Sequence, residues 1–450
     1  MVVDETIVYT PNLDEHLLIA SNQLHPIICQ IGGRNVDYCT KAVKAVREYG
    51  YDEVNLNVDC PSGRVSGKRL FGAVLMAEEH QETCLEVVSA MKESSACELY
   101  DRHDDVDRKK KSQIPISVKT RVGIQTDDGQ CHDNIKYVSN FLSQLHHHGC
   151  NRFVIHARIC VIGGLLSPAQ NRLVPPLNYP RVYELCRRFP DCEFVINGGI
   201  PGLKLARDLC FGINDDCGKN DNENQHHVVP CKICNAPNGS CTAPPSNPQS
   251  TPSNLKGCMI GRACMENPSM FWDVDRYFYG MDDNPYHTRR EVLDQYCLYL
   301  EETYPRRCCD DDDSVTMRIP CPKVDLPNWG CSICNDYYGS CNLDHDNEGM
   351  REESTSEQRG DDDERKIKIS SRVIDRSLKP ILGIFFGLPK SKLFRRECDR
   401  LSRDKSIRNC GPGYIVRRAM SVMPQELLDL HFVKTEDLDF VPTHVSPSNT

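Results

Sequence analysis

The feature that most restricts how this chain can fold is an alternation running through roughly its first 265 residues. Short runs rich in Val and Ile, at residues 26–31, 53–58, 115–118, 152–156, 193–196 and 257–260, each end in a polar or glycine-containing turn. Between them lie amphipathic stretches such as 37–49, 78–92, 134–147 and 179–189. Strand, turn and helix in repetition set successive strands side by side in parallel, because each helix returns the chain across a face of the sheet. With a β-like start at residues 1–7 the count is seven strands. The pattern predicts an α/β fold one strand short of a closed (β/α)8 TIM barrel, where function sits on the loops after the strands.

Residues able to do chemistry fall at those strand ends: Gln30 with Gly32 and Gly33, Asn55 and Asn57, Lys119 and Arg121, His156 and Arg158, Asn197-Gly198-Gly199, and Gly261-Arg262. One coincidence would mean little, but six in register predict a single polar site at one barrel mouth. Glycines after the last strands let backbone approach a phosphate, and the helix that follows supplies N–H donors. A lysine, a histidine and an arginine nearby suit an anionic, electron-accepting cofactor such as flavin mononucleotide.

Composition bounds the rest. A chain of 450 residues is long enough for two domains or for a large barrel with an appendage. Hydrophobic residues at 39% and charged residues at 26% exclude both a membrane protein and a wholly disordered chain, and the apolar run at 381–388 is too short to span a bilayer. Lys+Arg 54 against Asp+Glu 64 gives −10, which hides a segment of opposite sign. Residues 365–418 carry 16 Lys/Arg against four acids, a net of +12, with helical apolar spacing at Ile381-Leu382, Phe385-Phe386 and Leu393-Phe394. A basic helical unit in an acidic chain predicts a polyanion partner in preference to a merely solvated surface. Residues 93–113 and 214–255 read as surface inserts. The acidic stretches 310–313 and 351–364 read as flexible.

The strand-end motifs together resemble the A-type tRNA-dihydrouridine synthases. The stretches that carry the likeness are Gln30-Ile-Gly-Gly33, Asn55-Leu-Asn-Val-Asp-Cys-Pro-Ser62, Phe71-Gly-Ala-Val-Leu-Met76, Val118-Lys-Thr-Arg-Val-Gly123, Ile155-His-Ala-Arg158, Leu166-Ser-Pro-Ala-Gln-Asn-Arg172, Pro175-Pro-Leu177, Ile196-Asn-Gly-Gly-Ile200 and Met259-Ile-Gly-Arg-Ala263. It resumes at Leu382-Gly-Ile-Phe-Phe-Gly387 and Phe394-Arg-Arg396. The resemblance implies a flavin-binding barrel over residues 1–280 and a helical tRNA-binding domain over 281–420, interrupted by a Cys-rich, acidic insert at 306–368, with a tail at 421–450. It implies FMN reduced by NADPH, then hydride transfer to C6 of a D-loop uridine, with a cysteine protonating C5. The base is flipped out to reach the flavin. The resemblance assigns flavin contacts to Gln30, Lys119, His156, Asn197, Gly198, Gly199, Gly261 and Arg262. It assigns tRNA contacts to Asn171, Arg172, Lys392, Arg395 and Arg396.

Two departures qualify that assignment. The family's proton-donor cysteine falls at Val74, whose side chain has no exchangeable proton. Cys60 matches a different family cysteine. It reads first as a structural thiol and only second as a substitute donor. The family also begins with a strand ending in Ala-Pro-Met, ahead of the segment that aligns with Met1, so an edge at that side of the sheet is expected. Two readings of function remain: an FMN- and NADPH-dependent enzyme, or a tRNA-binding pseudoenzyme. A barrel flavoenzyme acting on a small molecule leaves the +12 segment unexplained.

Cysteine is over-represented, with 26 residues. Met1-Val-Val-Asp-Glu has neither a basic nor an apolar leader region, so reduced thiols are expected. A cytoplasmic location is expected, with an organellar one as the alternative, together with a monomer and no membrane attachment. Cys231, Cys234 and Cys241 recur as Cys331, Cys334 and Cys341 in two eleven-residue stretches that agree at seven positions. Cys-x2-Cys brings two thiolates to one zinc, and a fourth ligand is offered by His226 or His227, by His345, or by pairing of the two copies. Metal-free or redox-active thiols are the alternatives.

Overall fold

In a computed structural model, the described residues are 1–19, 25–62, 70–96, 113–126, 128–163, 166–212, 251–281, 284–304, 370–408 and 410–435. Both halves of the cysteine repeat, its candidate histidines and the acidic stretches lie outside them.

The strands are β1 (Val2–Val3), β2 (Ile28–Gly32), β3 (Glu53–Asn57), β4 (Ile116–Arg121), β5 (Ile124–Gln125), β6 (Cys131–His132), β7 (Arg152–His156), β8 (Cys160–Val161), β9 (Glu193–Asn197) and β10 (Leu255–Met259). Seven of them form one sheet in the order β1-β2-β3-β4-β7-β9-β10, and every neighbouring pair is parallel. The order follows the sequence, each strand lying beside the one before it in this sheet. β1 and β10 are the sheet's edges among the described residues. A second, three-stranded ribbon, β6-β5-β8, sits beyond the ends of β4 and β7 and was not anticipated, since two-residue strands leave no periodicity to read.

Helices separate the strands: α1 (Asp4–Tyr9), α2 (Asp14–Leu17), α3 (Val36–Glu48), α4 (Glu78–Ser94), α5 (Ile135–His147), α6 (Tyr179–Arg188) and α7 (Leu203–Phe211). Asn35, Asn134 and Asn178 cap α3, α5 and α6 by accepting an amide N–H three residues on. The expected β-like run at 1–7 is corrected: only Val2–Val3 is strand. The chain turns helical at Asp4, whose carboxylate is buried and accepts the Glu5 amide at 2.7 Å and the Cys39 thiol at 3.7 Å. The insert bounds shift slightly, with Glu93 and Ser94 in α4 and Leu255 in β10.

The rest is helical: α8 (Arg262–Glu266), α9 (Val274–Tyr279), α10 (Arg289–Thr303), α11 (Ser371–Leu378), α12 (Ser391–Arg403), α13 (Lys405–Arg408), α14 (Pro412–Met420) and α15 (Gln425–Leu428). Helices α10, α11, α12 and α14, with Phe385 from the turn before α12, build a second apolar core from Leu293, Leu300, Ile374, Phe385, Phe394, Leu401, Ile415 and Met420, separate from the sheet core. Thr288 starts α10 with a reciprocal capping box to Glu291. Residues 421–435, expected as tail, are packed: Met423 and Leu428 lie in the helical core and the Phe432 ring stacks on Trp272 at 5.5 Å.

The two cores meet at named contacts. A Cβ on Gly383 would lie 2.2 Å from the Glu266 carbonyl, so only glycine permits that approach. Ser269 and Arg289 both donate to the Ile384 carbonyl, at 2.8 and 3.0 Å. Ten cysteines among the described residues are buried, where the thiol serves as a small apolar packer. Among the described residues no helix is long and apolar enough to cross a membrane.

Candidate active site

The parallel register sets one row of polar side chains across the carboxyl ends of the strands. Gln30 lies opposite Asn55, Asn57 opposite Lys119, Arg121 opposite His156, and His156 opposite Asn197. Side chains alternate along a strand, so Ser117, Lys119 and Arg121 share a face, as do Asn55 and Asn57.

Amides wire the first part of the row. Gln30 donates to Asn55 at 2.8 Å and accepts from Asn57 at 3.0 Å, and Asn55 donates to Ser117 at 2.8 Å. Ser117 in turn donates a hydrogen bond to Glu53. The Asn57 side-chain Oδ1 accepts the backbone N–H of Cys60 at 3.0 Å, holding the turn after β3.

The middle of the row is a charge cluster around a residue that sequence reading passed over. Asp59 Oδ2 accepts Lys119 Nζ at 2.5 Å, while Oδ1 accepts Arg121 Nε at 2.7 Å and meets His156 Nδ1 at 3.1 Å. All four side chains are largely withdrawn from water, at 16% exposure for Asp59, 8% for Lys119, 1% for Arg121 and 8% for His156. Burial pushes the Asp59 carboxyl up, but Lys119, Arg121 and the His156 hydrogen bond together outweigh it and hold the group well below the usual carboxylate range. Burial lowers His156 to about 4 in spite of Asp59, so the ring is neutral at pH 7. Period-two spacing was the missed signal: Asp59 continues the series Asn55, Asn57.

The far part of the row is glycine-shaped. Gly198 and Gly199 have φ of +113° and +64°, and a Cβ on either would lie 2.6 Å from His156 or from Leu177. Tyr179 donates to the Gly198 carbonyl at 2.7 Å, and Asn197 donates to the Met259 carbonyl at 2.8 Å, tying β9 to β10. Gly261 and Arg262 follow β10, both exposed, and a Cβ on Gly261 would meet nothing within 4 Å. These residues fit a flavin mononucleotide. Open backbone beside an arginine has room for a phosphate, and a buried lysine and neutral histidine suit the polar edge of a flavin ring.

The remaining expected site residues divide. Val74 is 5% exposed in the 3-10 turn Gly72–Met76, and the neighbouring Ala73 N–H donates to the Cys60 carbonyl at 3.1 Å, so the two candidate proton-donor positions lie on tied segments. Cys60 itself is half-buried. Asn171 is fully buried: its amide exchanges hydrogen bonds with Val161, at 2.7 Å each way, and donates to Leu166. A side chain without exposed surface braces its loop. Arg158 braces the same region by donating to the Pro175 carbonyl. Arg172 is half-buried beside Asn171. Lys392, Arg395 and Arg396 are exposed on α12, whose opposite face buries Phe394, Cys398 and Leu401. No metal-binding cluster occurs among the described residues.

Parallel strands, interleaved helices and a polar row at the carboxyl ends define a barrel-type α/β protein, with that row as its candidate ligand site. Known proteins narrow the class. Residues 1–210 match the family of dihydrouridine synthases (Dus). The tRNA-dihydrouridine(20/20a) synthase of Vibrio vulnificus is 33% identical over 311 residues, covering 67% of this chain and 74% of that protein. That of Shewanella oneidensis is 34% identical over 284 residues, 63% of this chain and 64% of its own. That of Escherichia coli is 32% identical over 267 residues, 59% and 60% respectively. The chain belongs to the dihydrouridine synthase family.

Proposed function

We propose that the protein is a cytoplasmic tRNA-dihydrouridine synthase that reduces the C5–C6 double bond of D-loop uridines, using FMN as cofactor and NADPH as electron donor. The observation that carries this reading is the row Gln30, Lys119, His156 and Asn197 across the strand ends, continued by Gly198, Gly199, Gly261 and Arg262. FMN, when bound, supplies hydride to C6 of the uracil ring. The protein's own part is positioning. Gln30 is held by Asn55 and Asn57, which fixes its amide for the ring edge. Lys119 supplies positive charge and His156 a neutral imidazole at the same edge. Gly261 and Arg262 take the phosphate. Substrate enters from the side on which Lys392, Arg395 and Arg396 gather phosphates, with the base unstacked.

Val74 favours a second reading, a tRNA-binding protein of the same fold with impaired chemistry, since a valine supplies no proton at C5. One experiment separates them. The full chain is purified, its flavin spectrum recorded, and unmodified tRNA with NADPH assayed for dihydrouridine. The synthase reading expects a flavin spectrum and measurable product, rising roughly a hundredfold with Val74→Cys, the scale of one general acid. Flavin without product in the wild type, with recovery in Val74→Cys, selects the second reading. A protein that binds no FMN overturns the synthase assignment.

A further inference from the structure

Asp59 has no part in the contacts assigned above, yet it occupies the centre of them. Its two oxygens engage Lys119 and His156, both assigned to the ring edge, and Arg121. The three do not depend on it equally. Arg121 also donates to the carbonyls of Ile159 and Asn171, at 3.1 and 3.2 Å, so the fold holds it by other means. For Lys119, the acceptor the structure shows is Asp59. The cluster contains two cations, one carboxylate and a neutral histidine, so its net charge is +1 where the cations alone would give +2. In a site shielded from water that difference is felt strongly by any ligand that gains negative charge.

We propose that Asp59 is a built-in counter-anion that competes with the flavin ring for the Lys119 ammonium, weakening FMN binding and lowering the potential at which the bound flavin is reduced. The inference rests on the reading of this site as a flavin pocket. Reduction adds electron density to the polar edge of the ring, so a free cation there favours the reduced form, and a carboxylate paired with that cation cancels the advantage. Asp59 is therefore a positioning residue, acting on the cofactor through Lys119. It makes the flavin a stronger hydride donor at the expense of cofactor retention.

The test uses the full chain and FMN itself. Wild type, Asp59→Asn and Asp59→Glu are stripped of flavin and titrated with FMN by fluorescence, and the midpoint potential of each loaded protein is measured. Asp59→Asn keeps the shape and removes the charge. It should bind FMN about tenfold more tightly and favour the reduced form about tenfold, a rise near 30 mV for a two-electron couple. Asp59→Glu, which keeps the charge, should resemble wild type. A residue needed only for packing would instead give Asp59→Asn weaker FMN binding. If wild type binds FMN but Asp59→Asn leaves affinity and potential unchanged or lower, the counter-anion inference fails and the flavin reading stands. If no variant binds FMN at 100-fold excess, the flavin reading fails and takes this inference with it. Should Asp59→Asn not fold, Asp59→Gly is read by the same criteria, and failure of both to fold assigns Asp59 to the fold and overturns the proposal.

Discussion

Burial decides the protonation of His156. Its ordinary value near 6.5 falls to about 4 because the ring lies out of water between Asp59 and Gly198. The unfolded chain therefore takes up this proton first as pH falls. Stability that is intact above about pH 6.5 is lost as pH drops toward 4, at up to about 1.4 kcal/mol per pH unit. Asp59 acts in the same direction at still lower pH, because its carboxyl is also held below its ordinary value. His156→Asn should flatten the dependence between pH 6.5 and 4, read from urea midpoints at each pH. An unchanged slope would assign the dependence to another group. At this scale much of the site was legible: Gln30, Lys119, His156, Asn197 and Gly198 stand together in the row. Asp59 was not picked out: its period-two spacing after Asn55 and Asn57 gives it their face, but only the register brings three partners to it. Asn171 shows the converse: sequence shows an amide beside an arginine, and only packing shows its hydrogen bonds with Val161.

Elements meet where glycine allows it. Gly383 lies against the backbone of Met265 and Glu266 at the end of α8, where no side chain can move aside to make room. Gly383→Ala should destabilise the protein by about 1–3 kcal/mol, the usual result of overpacking, measured by thermal unfolding. Gly261→Ala provides the contrast, since its new methyl meets nothing within 4 Å. It should stay within about 0.5 kcal/mol of wild type. A Gly383→Ala protein as stable as wild type would show that the junction between the two cores yields. Helices and strands themselves were readable from periodicity, and α3, α5 and α6 start within a residue or two of the expected bounds because Asn35, Asn134 and Asn178 are strong caps. The start at Asp4 escaped, since its helix depends on a carboxylate buried against Cys39.

Over the whole molecule, charge is sorted by region. The net of −10 coexists with a basic α12 whose Lys392, Arg395 and Arg396 have no ion-pair partner among the described residues, whereas Arg400 is occupied by Glu397 and Arg417 by Glu301. Neutralising Arg395 and Arg396 together should weaken tRNA binding and reduce the slope of log affinity against log salt by roughly 0.7–0.9 per charge removed. The same change at Arg400 and Glu397 together should leave the slope nearly unaltered. Equal slopes for both pairs would remove α12 from the interface. Sequence alone determined the parallel α/β order, the polar row at the strand ends and the basic helical unit, because periodicity, glycine placement and charge are local properties that survive without contacts. Only the tertiary structure decided which of those polar groups are available and which are already engaged. Engagement is a matter of distance between residues far apart in the chain, and Asp59, held between Lys119, Arg121 and His156 from two other strands, shows it most directly.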